Sequence, residues 1–527
     1  MQKLSPNENP YANDDKQDPI ELHISCTNLD NEDFVFGESD GQVAIYFINK
    51  DNQRVLVGET EVMHNEEDPE FKTPIVLDFV FEIHQKVLLI CYDFDSKHSR
   101  EEIGSAEFEL SAVMMNQKEG LHLPLLQNGN ERGRVNIRPV RPENQRFEYV
   151  IDIRAKDVKD IEWLSKTDPF IVFRRPTPDF INEKEAAEIK TWHDVYVTEM
   201  VKDNLNPNFK PFTICTSHFN KDQESAWTQF AVFDHSKSGN HTCLGVGYFT
   251  VAQVIGLGQK EFKAHSPEGE HVGTFVVEKF EKRRRYTLGD YLYNGLHLST
   301  EIGFDFTDGN GDAADEEYLH KLCDNVYNTY EQAVVQIGSI LHHYDTDNLI
   351  PTYGYGFSAP GLGISEPSFC YPLNGNFGQP HIKGYLNILP AYRALVPQIV
   401  PGGPRNMAPI LSEAIKAVQA TWQQNKLIYT ILIILTAGEL KDEDQVMSLV
   451  NSARNLPLSI LLVGIGDEDM DELKHLDDGH APDSRDILQF VHYDKHSEDR
   501  EKLAKELLHE IPGQVISFYR SQGIFPN

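Results

Sequence analysis

Hydrophobic and polar residues alternate along the first part of the chain with the period of a β-strand. The alternation begins at residues 20–24 and recurs at 42–47 and 74–79. Because residues two apart on a strand share a face, each run predicts a strand with one buried side. Turn residues separate the runs at the spacing of a β-sandwich. We therefore predict an antiparallel β-sandwich over residues 19–140, after a disordered tail over residues 1–18.

The same landmarks return later in the chain. The strand pattern of residues 20–24 reappears at residues 148–153. The segment Asp-Pro-Glu-Phe-Lys at 68–72 corresponds to Asn-Pro-Asn-Phe-Lys at 206–210. A repeat of about 140 residues with landmarks in the same order indicates duplication of a whole domain. Residues 145–280 are therefore predicted to form a second antiparallel β-sandwich.

The pattern changes after the basic run at 282–285. Continuous apolar strands at 432–435 and 460–463 now alternate with long stretches of helical periodicity, at 317–344, 407–424, 441–455 and 497–519. This alternation predicts a doubly wound α/β domain with a parallel sheet, over residues 297–524. The segment 281–296 between the second and third domains is expected to be a solvated linker.

Composition narrows the possible partners and chemistry. The 527 residues include 82 acidic and 48 basic side chains, a formal charge of −34. Nucleic-acid binding needs a basic surface, so that function is excluded, and an anionic membrane is repelled unless bound calcium inverts the local charge. The six cysteines are scattered, which argues against a zinc site. No nucleophile, phosphate-loop or kinase motif is present, so an enzyme is not expected.

A group of carboxylates in the first sandwich carries candidate metal chemistry. Asp93 and Asp95 follow an apolar strand at spacing i, i+2, and Glu101 stands across the turn. Residues two apart share a face, so these side chains are expected to converge. Calcium takes six to eight hard oxygen ligands at about 2.3–2.6 Å. The sequence therefore predicts a calcium site at this end of the sandwich.

Six further short sequence motifs indicate a resemblance to a known family. They are Leu-Ser-Lys-Thr-Asp-Pro-Phe at 164–170, Gly-Phe-Asp-Phe-Thr at 303–307, Tyr-Asp-Thr-Asp at 344–347, Ile-Pro-Thr-Tyr-Gly-Tyr-Gly at 350–356, Phe-Cys-Tyr-Pro-Leu-Asn at 369–374 and Ile-Pro-Gly-Gln-Val at 511–515. Together with the tandem sandwiches, they resemble the copine family, which has two C2 domains followed by a von Willebrand factor type A domain. The resemblance implies a cytoplasmic protein that binds anionic phospholipid when calcium rises. It also implies recruitment to the inner face of the plasma membrane or to endomembranes, and an A domain that binds an unidentified protein partner.

The resemblance extends the calcium ligand set of the first C2 domain, which becomes Asp33, Asp40, Asp93, Asp95 and Glu101. The spacing in the first loop is one residue longer than the family pattern, and Gly41 stands where proline is usual. An alternative is that these residues are ordinary turn formers, because acidic side chains accept local backbone hydrogen bonds. Five uncompensated carboxylates on converging loops would repel one another, which favours calcium.

The second C2 domain keeps Glu162, Asp168 and Asp234 of the corresponding set. Ser236 and Thr242 stand where the other carboxylates belong. Since the number of charged ligands tunes calcium affinity, we predict a weak or empty site in this domain.

Bulky apolar residues lie between the first-loop acids of both domains: Phe34, Val35 and Phe36 in the first, Trp163 and Leu164 in the second. Apolar side chains on an acidic loop are unfavourable in water unless they reach an apolar environment. One interpretation is shallow insertion into the lipid headgroup region once calcium neutralises the loop. The other is that these side chains fold back onto the end of the sandwich.

The A domain lacks most of its family's magnesium ligands. Asp305 and Thr307 remain, but Gly309 replaces a serine, Arg405 a threonine and Ala437 an aspartate. A guanidinium repels a metal and pairs with a carboxylate instead. We predict a pseudo-site in which Arg405 takes the place of the ion, so that no magnesium binds and partner recognition is independent of metal.

The leading hypothesis is a non-enzymatic, calcium-dependent, phospholipid-binding membrane adaptor. Its first C2 domain senses calcium and lipid, and its A domain binds partner proteins. The alternative is a calcium-independent cytosolic scaffold, because ligands are lost from both the second C2 domain and the A domain.

Overall fold

A computed structural model describes residue 6 and residues 18–30, 40–96, 99–141, 147–161, 165–177, 191–467, 470–478, 485–496 and 499–526. The chain divides into two compact units. One unit is built on residues 142–285, and the other combines residues 18–141 with residues 286–527.

In the described part of the first sandwich there are eight antiparallel strands and one helix. They are β1 (Asp18–Thr27), β2 (Gly41–Ile48), β3 (Arg54–Glu59), β4 (Ile75–Phe79), β5 (Lys86–Ser96), β6 (Ser99–Glu109), α1 (Leu110–Met115), β7 (Leu121–Gln127) and β8 (Asn130–Val140). The strand order is β3-β2-β5-β6-β7-β8-β1-β4. Alternate residues of β1, from Asp18 to Cys26, are buried, because the period-two pattern turns its apolar side toward the core.

The second sandwich repeats this topology strand for strand. Its elements are β9 (Phe147–Lys156), β10 (Pro169–Pro176), β11 (Trp192–Val197), β12 (Phe212–Cys215), α2 (Thr216–Asn220), β13 (Trp227–Asp234), β14 (Thr242–Thr250), α3 (Val251–Ile255), β15 (Glu261–His265) and β16 (His271–Arg284). The order β11-β10-β13-β14-β15-β16-β9-β12 is the first order with eight added to every strand number. The predicted pair of antiparallel sandwiches is confirmed.

The third domain is α/β. Its elements are α4 (Leu288–Tyr293), β17 (His297–Asp305), α5 (Thr329–Leu341), β18 (Leu349–Tyr355), β19 (Phe357–Ala359), β20 (Ile364–Ser368), β21 (Tyr371–Pro372), β22 (His381–Lys383), α6 (Ile388–Leu395), β23 (Val400–Pro401), α7 (Ala408–Gln424), β24 (Ile428–Thr436), α8 (Glu443–Ala453), β25 (Leu458–Gly464), α9 (Asp471–Asp478), β26 (Leu488–His492), α10 (Arg500–Leu508) and α11 (Ile511–Ser521). Short 3-10 helices lie at Asp308–Asn310, Pro360–Leu362, Tyr385–Asn387, Val396–Gln398 and Tyr493–Lys495.

The main sheet of this domain has the order β21-β18-β17-β24-β25-β26. Strands β18, β17, β24, β25 and β26 are parallel to their neighbours, as predicted. The short strands β21 and β22 pair antiparallel with β18, so one edge of the sheet is mixed. A separate small sheet has the order β20-β19-β23.

The structure differs from the predicted linker over residues 281–296. Strand β16 continues to Arg284 and pairs with β9, and helix α4 follows almost at once. Residues 282–284 of the basic run belong to this strand, where Lys282 also pairs with Glu224 and Arg283 with Glu148. Both side chains therefore have acidic partners, Glu148 in β9 and Glu224 in the turn before β13, while Lys282 itself stays exposed.

The helical prediction over residues 317–344 was wrong at its start. Helix α5 begins at Thr329, because Asn328 forms a capping box with Glu331. Separately, no helix in the described part of the chain is long and apolar enough to cross a membrane.

Candidate functional site

The loop end of the first sandwich brings two of the predicted calcium ligands together. Asp40 comes directly before β2, and Asp93 lies near the end of β5, paired in register with Gly41. The backbone N–H of Asp40 donates to Oδ1 of Asp93 at 2.7 Å, and the N–H of Phe94 donates to the carbonyl oxygen of Asp40 at 2.9 Å. These bonds lock the two acidic residues side by side.

The carboxylate of Asp40 already has two further partners. Its Oδ2 lies 2.6 Å from Nδ1 of His64, and its Oδ1 accepts the backbone N–H of Asn65 at 2.9 Å. Burial acts to raise the pKa of Asp40, but the contacts with His64 and Asn65 outweigh it and hold the pKa below its ordinary value. The sequence analysis missed His64, because a histidine 24 residues after Asp40 carries no motif.

The remaining ligands of the predicted set are only partly described. Glu101 stands directly opposite Asp93 in the β5–β6 hairpin, and its side chain is exposed whereas Asp93 is buried. Asp95 lies within β5, but its side chain is outside the described residues, and Asp33 is outside them altogether. Among the side chains that the structure describes, no three acidic, histidine or cysteine groups are placed to hold a metal.

The donors at this end nevertheless fit calcium by their chemistry. Asp40, Asp93 and Glu101 supply carboxylate oxygens, which are the hard ligands that calcium prefers. Calcium binding at Asp40 would have to replace the contact with His64, which is 68% exposed at the side chain and able to turn away.

The second sandwich reproduces the acidic pair but not its surroundings. The N–H of Asp168 donates to Oδ1 of Asp234 at 2.9 Å, and the N–H of Asp203 donates to Oδ1 of Asp168 at 2.7 Å. These bonds match those of Asp40 with Asp93 and with Asn65. The duplication therefore extends to individual hydrogen bonds.

The third loop of the second sandwich is held by neutral groups. The N–H of Ser236 donates to Nδ1 of His241 at 3.0 Å, and the hydroxyls of Ser236 and Ser238 lie 2.9 Å apart. Thr242 is exposed at the start of β14. Glu162 lies outside the described residues. With two hydroxyls in place of carboxylates, this end offers calcium less negative charge than the first sandwich does.

The predicted lipid-inserting residues cannot be placed. Phe34, Val35, Phe36, Trp163 and Leu164 all lie outside the described residues. Their insertion stays a prediction.

Asp305 forms the centre of a polar cluster at the carboxyl end of β17. Its side chain is fully buried. Oδ1 accepts the N–H and the hydroxyl of Thr307 at 2.9 and 2.7 Å. Oδ2 accepts the hydroxyl of Thr436 and the N–H of Ala437, both at 3.1 Å.

Arg405 completes the cluster. Its Nε donates to Oδ2 of Asp305 at 2.7 Å, and its Nη1 donates to the carbonyl oxygen of Glu439 at 3.1 Å. Arg405 is only 8% exposed. A Cβ atom on Gly309 would lie 1.8 Å from Nη2 of Arg405, so the glycine leaves the space that the guanidinium occupies.

This cluster does not fit a magnesium ion. Asp305 already accepts five hydrogen bonds, one of them from a positive charge, and Gly309 and Ala437 supply no side-chain oxygen. Magnesium requires near-octahedral oxygen coordination. The arrangement is instead a buried ion pair whose remaining lone pairs are satisfied by hydroxyl and backbone donors.

Comparison with known proteins found similar sequences for all three domains. Residues 22–125 and 149–266 match the C2 domain family, and residues 318–527 match the Copine family. The resemblance to copines is confirmed. Copine-A of Dictyostelium discoideum is 28% identical over 524 residues, which cover 96% of this chain and 85% of that protein.

Two solved structures are similar to the sandwiches of this copine-like chain. The structure described as BON1-C2B is 20% identical to this chain, with a TM-score of 0.22. The match covers 26% of this chain and 93% of the BON1-C2B chain. The calcium-bound pair of C2 domains of Extended-Synaptotagmin 2 is 12% identical, with a TM-score of 0.23, and covers 51% of this chain and 98% of that one.

The third domain, whose residues 318–527 match the Copine family, also contains buried polar residues that no sequence motif predicted. Nε2 of the buried His320 lies 2.7 Å from the carbonyl oxygen of Asp305, and Nδ1 lies 2.6 Å from the hydroxyl of Tyr392. Burial lowers the pKa of His320 to about 4, so it is neutral near pH 7 and fixes the end of β17 as a hydrogen-bonding group. Thr436 could have been found, because it precedes Ala437 in the motif, whereas His320 follows no recognisable pattern.

Proposed function

We propose that this chain is a calcium-dependent, phospholipid-binding membrane adaptor. Two C2 domains followed by a copine region support a membrane-associated role. In the proposal, the first C2 domain senses calcium and lipid, the second adds packing or weak contact, and the A domain binds a partner protein without a metal and without catalysis.

The observation that carries the proposal is the pairing of Asp40 with Asp93. The two residues are held at one end of the first sandwich by the 2.7 Å hydrogen bond from the backbone N–H of Asp40 to Oδ1 of Asp93, next to the exposed Glu101. The whole chain has a formal charge of −34, so an anionic bilayer repels it. Asp40, Asp93 and Glu101, with Asp33 and Asp95, would hold calcium, whose charge reverses the local field.

The A-domain part of the proposal rests on the Arg405–Asp305 ion pair. Because the guanidinium occupies the place of a cation, this end of the domain keeps one arrangement whether or not divalent ions are present. A protein partner would then meet a fixed surface, and its affinity would not change when magnesium is chelated.

Sedimentation of the full chain with phosphatidylserine vesicles tests the proposal. We expect binding in calcium and release in a chelator. The double variant Asp93→Asn, Asp95→Asn should lose calcium-dependent sedimentation. Asp234→Asn is the matched control, because Asp234 accepts the same kind of backbone hydrogen bond but belongs to the depleted loop, and it should retain most binding.

The calcium-independent scaffold is kept as a second candidate for one reason. Asp40 is already engaged by His64 and by the Asn65 amide, an arrangement that satisfies the carboxylate without an ion. Sedimentation that is equal in calcium and in chelator, or absent in both, would favour the scaffold over the calcium-dependent adaptor.

A further inference from the structure

The first sandwich and the A domain share one hydrophobic core. A single cluster of buried residues runs from the sandwich into the A domain, and the second sandwich has a cluster of its own. Tyr344 lies at the junction, with its ring 4.8 Å from that of Phe81 and 6.4 Å from that of Phe79. Tyr344 is 1% exposed, so the aromatic contact is sealed from water.

A network of buried charged side chains also connects the two domains at this junction. Arg141, at the end of the first sandwich, donates from Nη1 to Asp18 and from Nε to Asp290 at 2.9 Å. Its Nη2 donates to the hydroxyl of Thr287 at 2.8 Å, and the N–H of Gly289 donates to Oδ2 of Asp18 at 3.1 Å. The side chains of Arg141, Asp18 and Asp290 are 15%, 7% and 17% exposed.

Backbone fit reinforces the network. A Cβ atom on Gly289 would lie 2.1 Å from Oδ2 of Asp18, so the backbone of α4 approaches the Asp18 carboxylate as closely as only glycine permits. His84 in the β4–β5 turn adds a contact of 3.2 Å between its Nε2 and the hydroxyl of Ser339 on α5. Apolar packing, a shared ion network and close backbone contact are the features of a fixed interface, in contrast to the small polar interfaces of mobile domains.

The junction lies at the end of the first sandwich that is opposite the calcium loops. Strand β1 starts at Asp18, within the network, and ends at Thr27, beside the loop that leads to Asp40. Ten residues of strand span about 30 Å. The A domain therefore does not cover the candidate calcium ligands.

The Asp305 cluster lies at the end of β17 that is away from the junction. Strand β17 starts at His297, next to the junction, since the N–H of Leu298 donates to the carbonyl oxygen of Tyr344 at 3.1 Å. It ends at Asp305, and nine strand residues span about 30 Å. Each candidate site thus lies at the far end of a strand that begins at the junction.

We propose that the first C2 domain and the A domain form one rigid module with a binding surface at each of its two ends. The calcium-loop end meets the phospholipid surface, while the Asp305 end is presented to a protein in the aqueous phase, so both can be occupied at once. The proposal rests on the proposed membrane function for the identity of the lipid end. The rigidity of the module stands independently, on the shared core and the Arg141 network.

Distance measurement within the full chain tests the rigidity without any membrane. Cys323 is exposed and lies near the Asp305 end, because His320 contacts the backbone of Asp305. Asn130 is exposed at the start of β8, near the calcium loops. With Cys243 and the half-buried Cys370 replaced by serine, spin labels on Cys323 and on Asn130→Cys should give one narrow distance distribution by double electron–electron resonance, unchanged by calcium. A broad or calcium-shifted distribution would overturn the rigid module.

Energy transfer to labelled phosphatidylserine vesicles tests the two ends. A donor dye on Asn130→Cys, with Cys323, Cys243 and Cys370 replaced by serine, should transfer energy strongly when calcium is added. The same dye on Cys323 should transfer several-fold less. Equal transfer from both positions contradicts the two-ended arrangement. Loss of vesicle sedimentation, by contrast, counts against the proposed membrane function and leaves the spin-label result to decide the module.

Discussion

Gly309 and Arg405 are mutually dependent: the space a Cβ atom would fill on Gly309 is within 1.8 Å of Nη2 of Arg405. We expect Gly309→Ser to push the guanidinium away from Asp305 and leave a buried carboxylate without its cation. Breaking a buried ion pair costs about 3–5 kcal/mol, so the urea concentration at which the module of first sandwich and A domain unfolds should fall clearly. Gly402→Ser is the matched control, because nothing lies within 4 Å of its added Cβ, and it should unfold like the unmodified chain.

Restoring the lost ligands should create a metal site. The triple variant Gly309→Ser, Arg405→Thr, Ala437→Asp replaces the guanidinium with hydroxyl and carboxylate oxygens around Asp305. The free energy of unfolding should then rise when magnesium is added, by about 2–3 kcal/mol at roughly 100 times the dissociation constant. The unmodified chain should show no such rise, and an equal rise in both would contradict the pseudo-site.

Glu301 makes the stability of the A domain dependent on pH. Burial among the layers of β17 and α7, aided by the charge of Glu413, raises its pKa from 4.5 to about 7. The folded state therefore holds a proton that the unfolded state releases. The resulting penalty is absent below about pH 4.5, grows up to about pH 7 and is complete above it, at about 3 kcal/mol.

Glu301→Gln should remove that penalty. Denaturant unfolding at about pH 5 and about pH 8 should show the unmodified chain losing stability across the interval and the variant losing much less. Glu413→Gln, on the exposed face of α7, is the control and should change the profile only slightly. Identical slopes for Glu301→Gln and the unmodified chain would show that Glu301 does not carry the effect.

His64 is expected to compete with calcium for Asp40. His64→Asn removes the 2.6 Å contact with Oδ2 of Asp40 and leaves the carboxylate available. An exposed ion pair is worth about 0.5–1 kcal/mol, so half-maximal vesicle sedimentation should need roughly two- to fivefold less calcium. Lys202 precedes Asp203 as His64 precedes Asn65, and Lys202→Asn should leave the calcium requirement unchanged. A higher calcium requirement for His64→Asn would make the histidine a supporting residue instead.

Arg141 should be essential to the junction between the first sandwich and the A domain. Arg141→Ala leaves Asp18 and Asp290 buried without their cation, a loss of about 3–5 kcal/mol. Denaturant unfolding of the full chain should show this loss. Arg134→Ala, within the preceding strand β8, removes only an exposed pair with Glu131 and should stay within about 0.5 kcal/mol of the unmodified chain.

The periodicity of apolar residues in the sequence was sufficient to predict the layers of the fold. The alternation at 20–24 and its return at 148–153 predicted two sandwiches, because a half-buried strand requires that period wherever it occurs. The pairing of Arg405 with Asp305 was also predictable, since an arginine in a depleted cation site needs a carboxylate. Asp40 and Asp93 could be matched by a family pattern, although no local rule joins residues 53 positions apart.

Contacts between distant segments were decided only by the tertiary structure. His64 at Asp40 and His320 behind Asp305 depend on how loops return, and neither position differs in sequence from an ordinary surface or core histidine. The basic run at 282–285 was predicted to be a linker, because its acidic partners Glu148 and Glu224 lie far from it in the sequence. Likewise, Arg141 and Tyr344 join two domains that the sequence separates, since side-chain complementarity across an interface leaves no periodic signal along the chain.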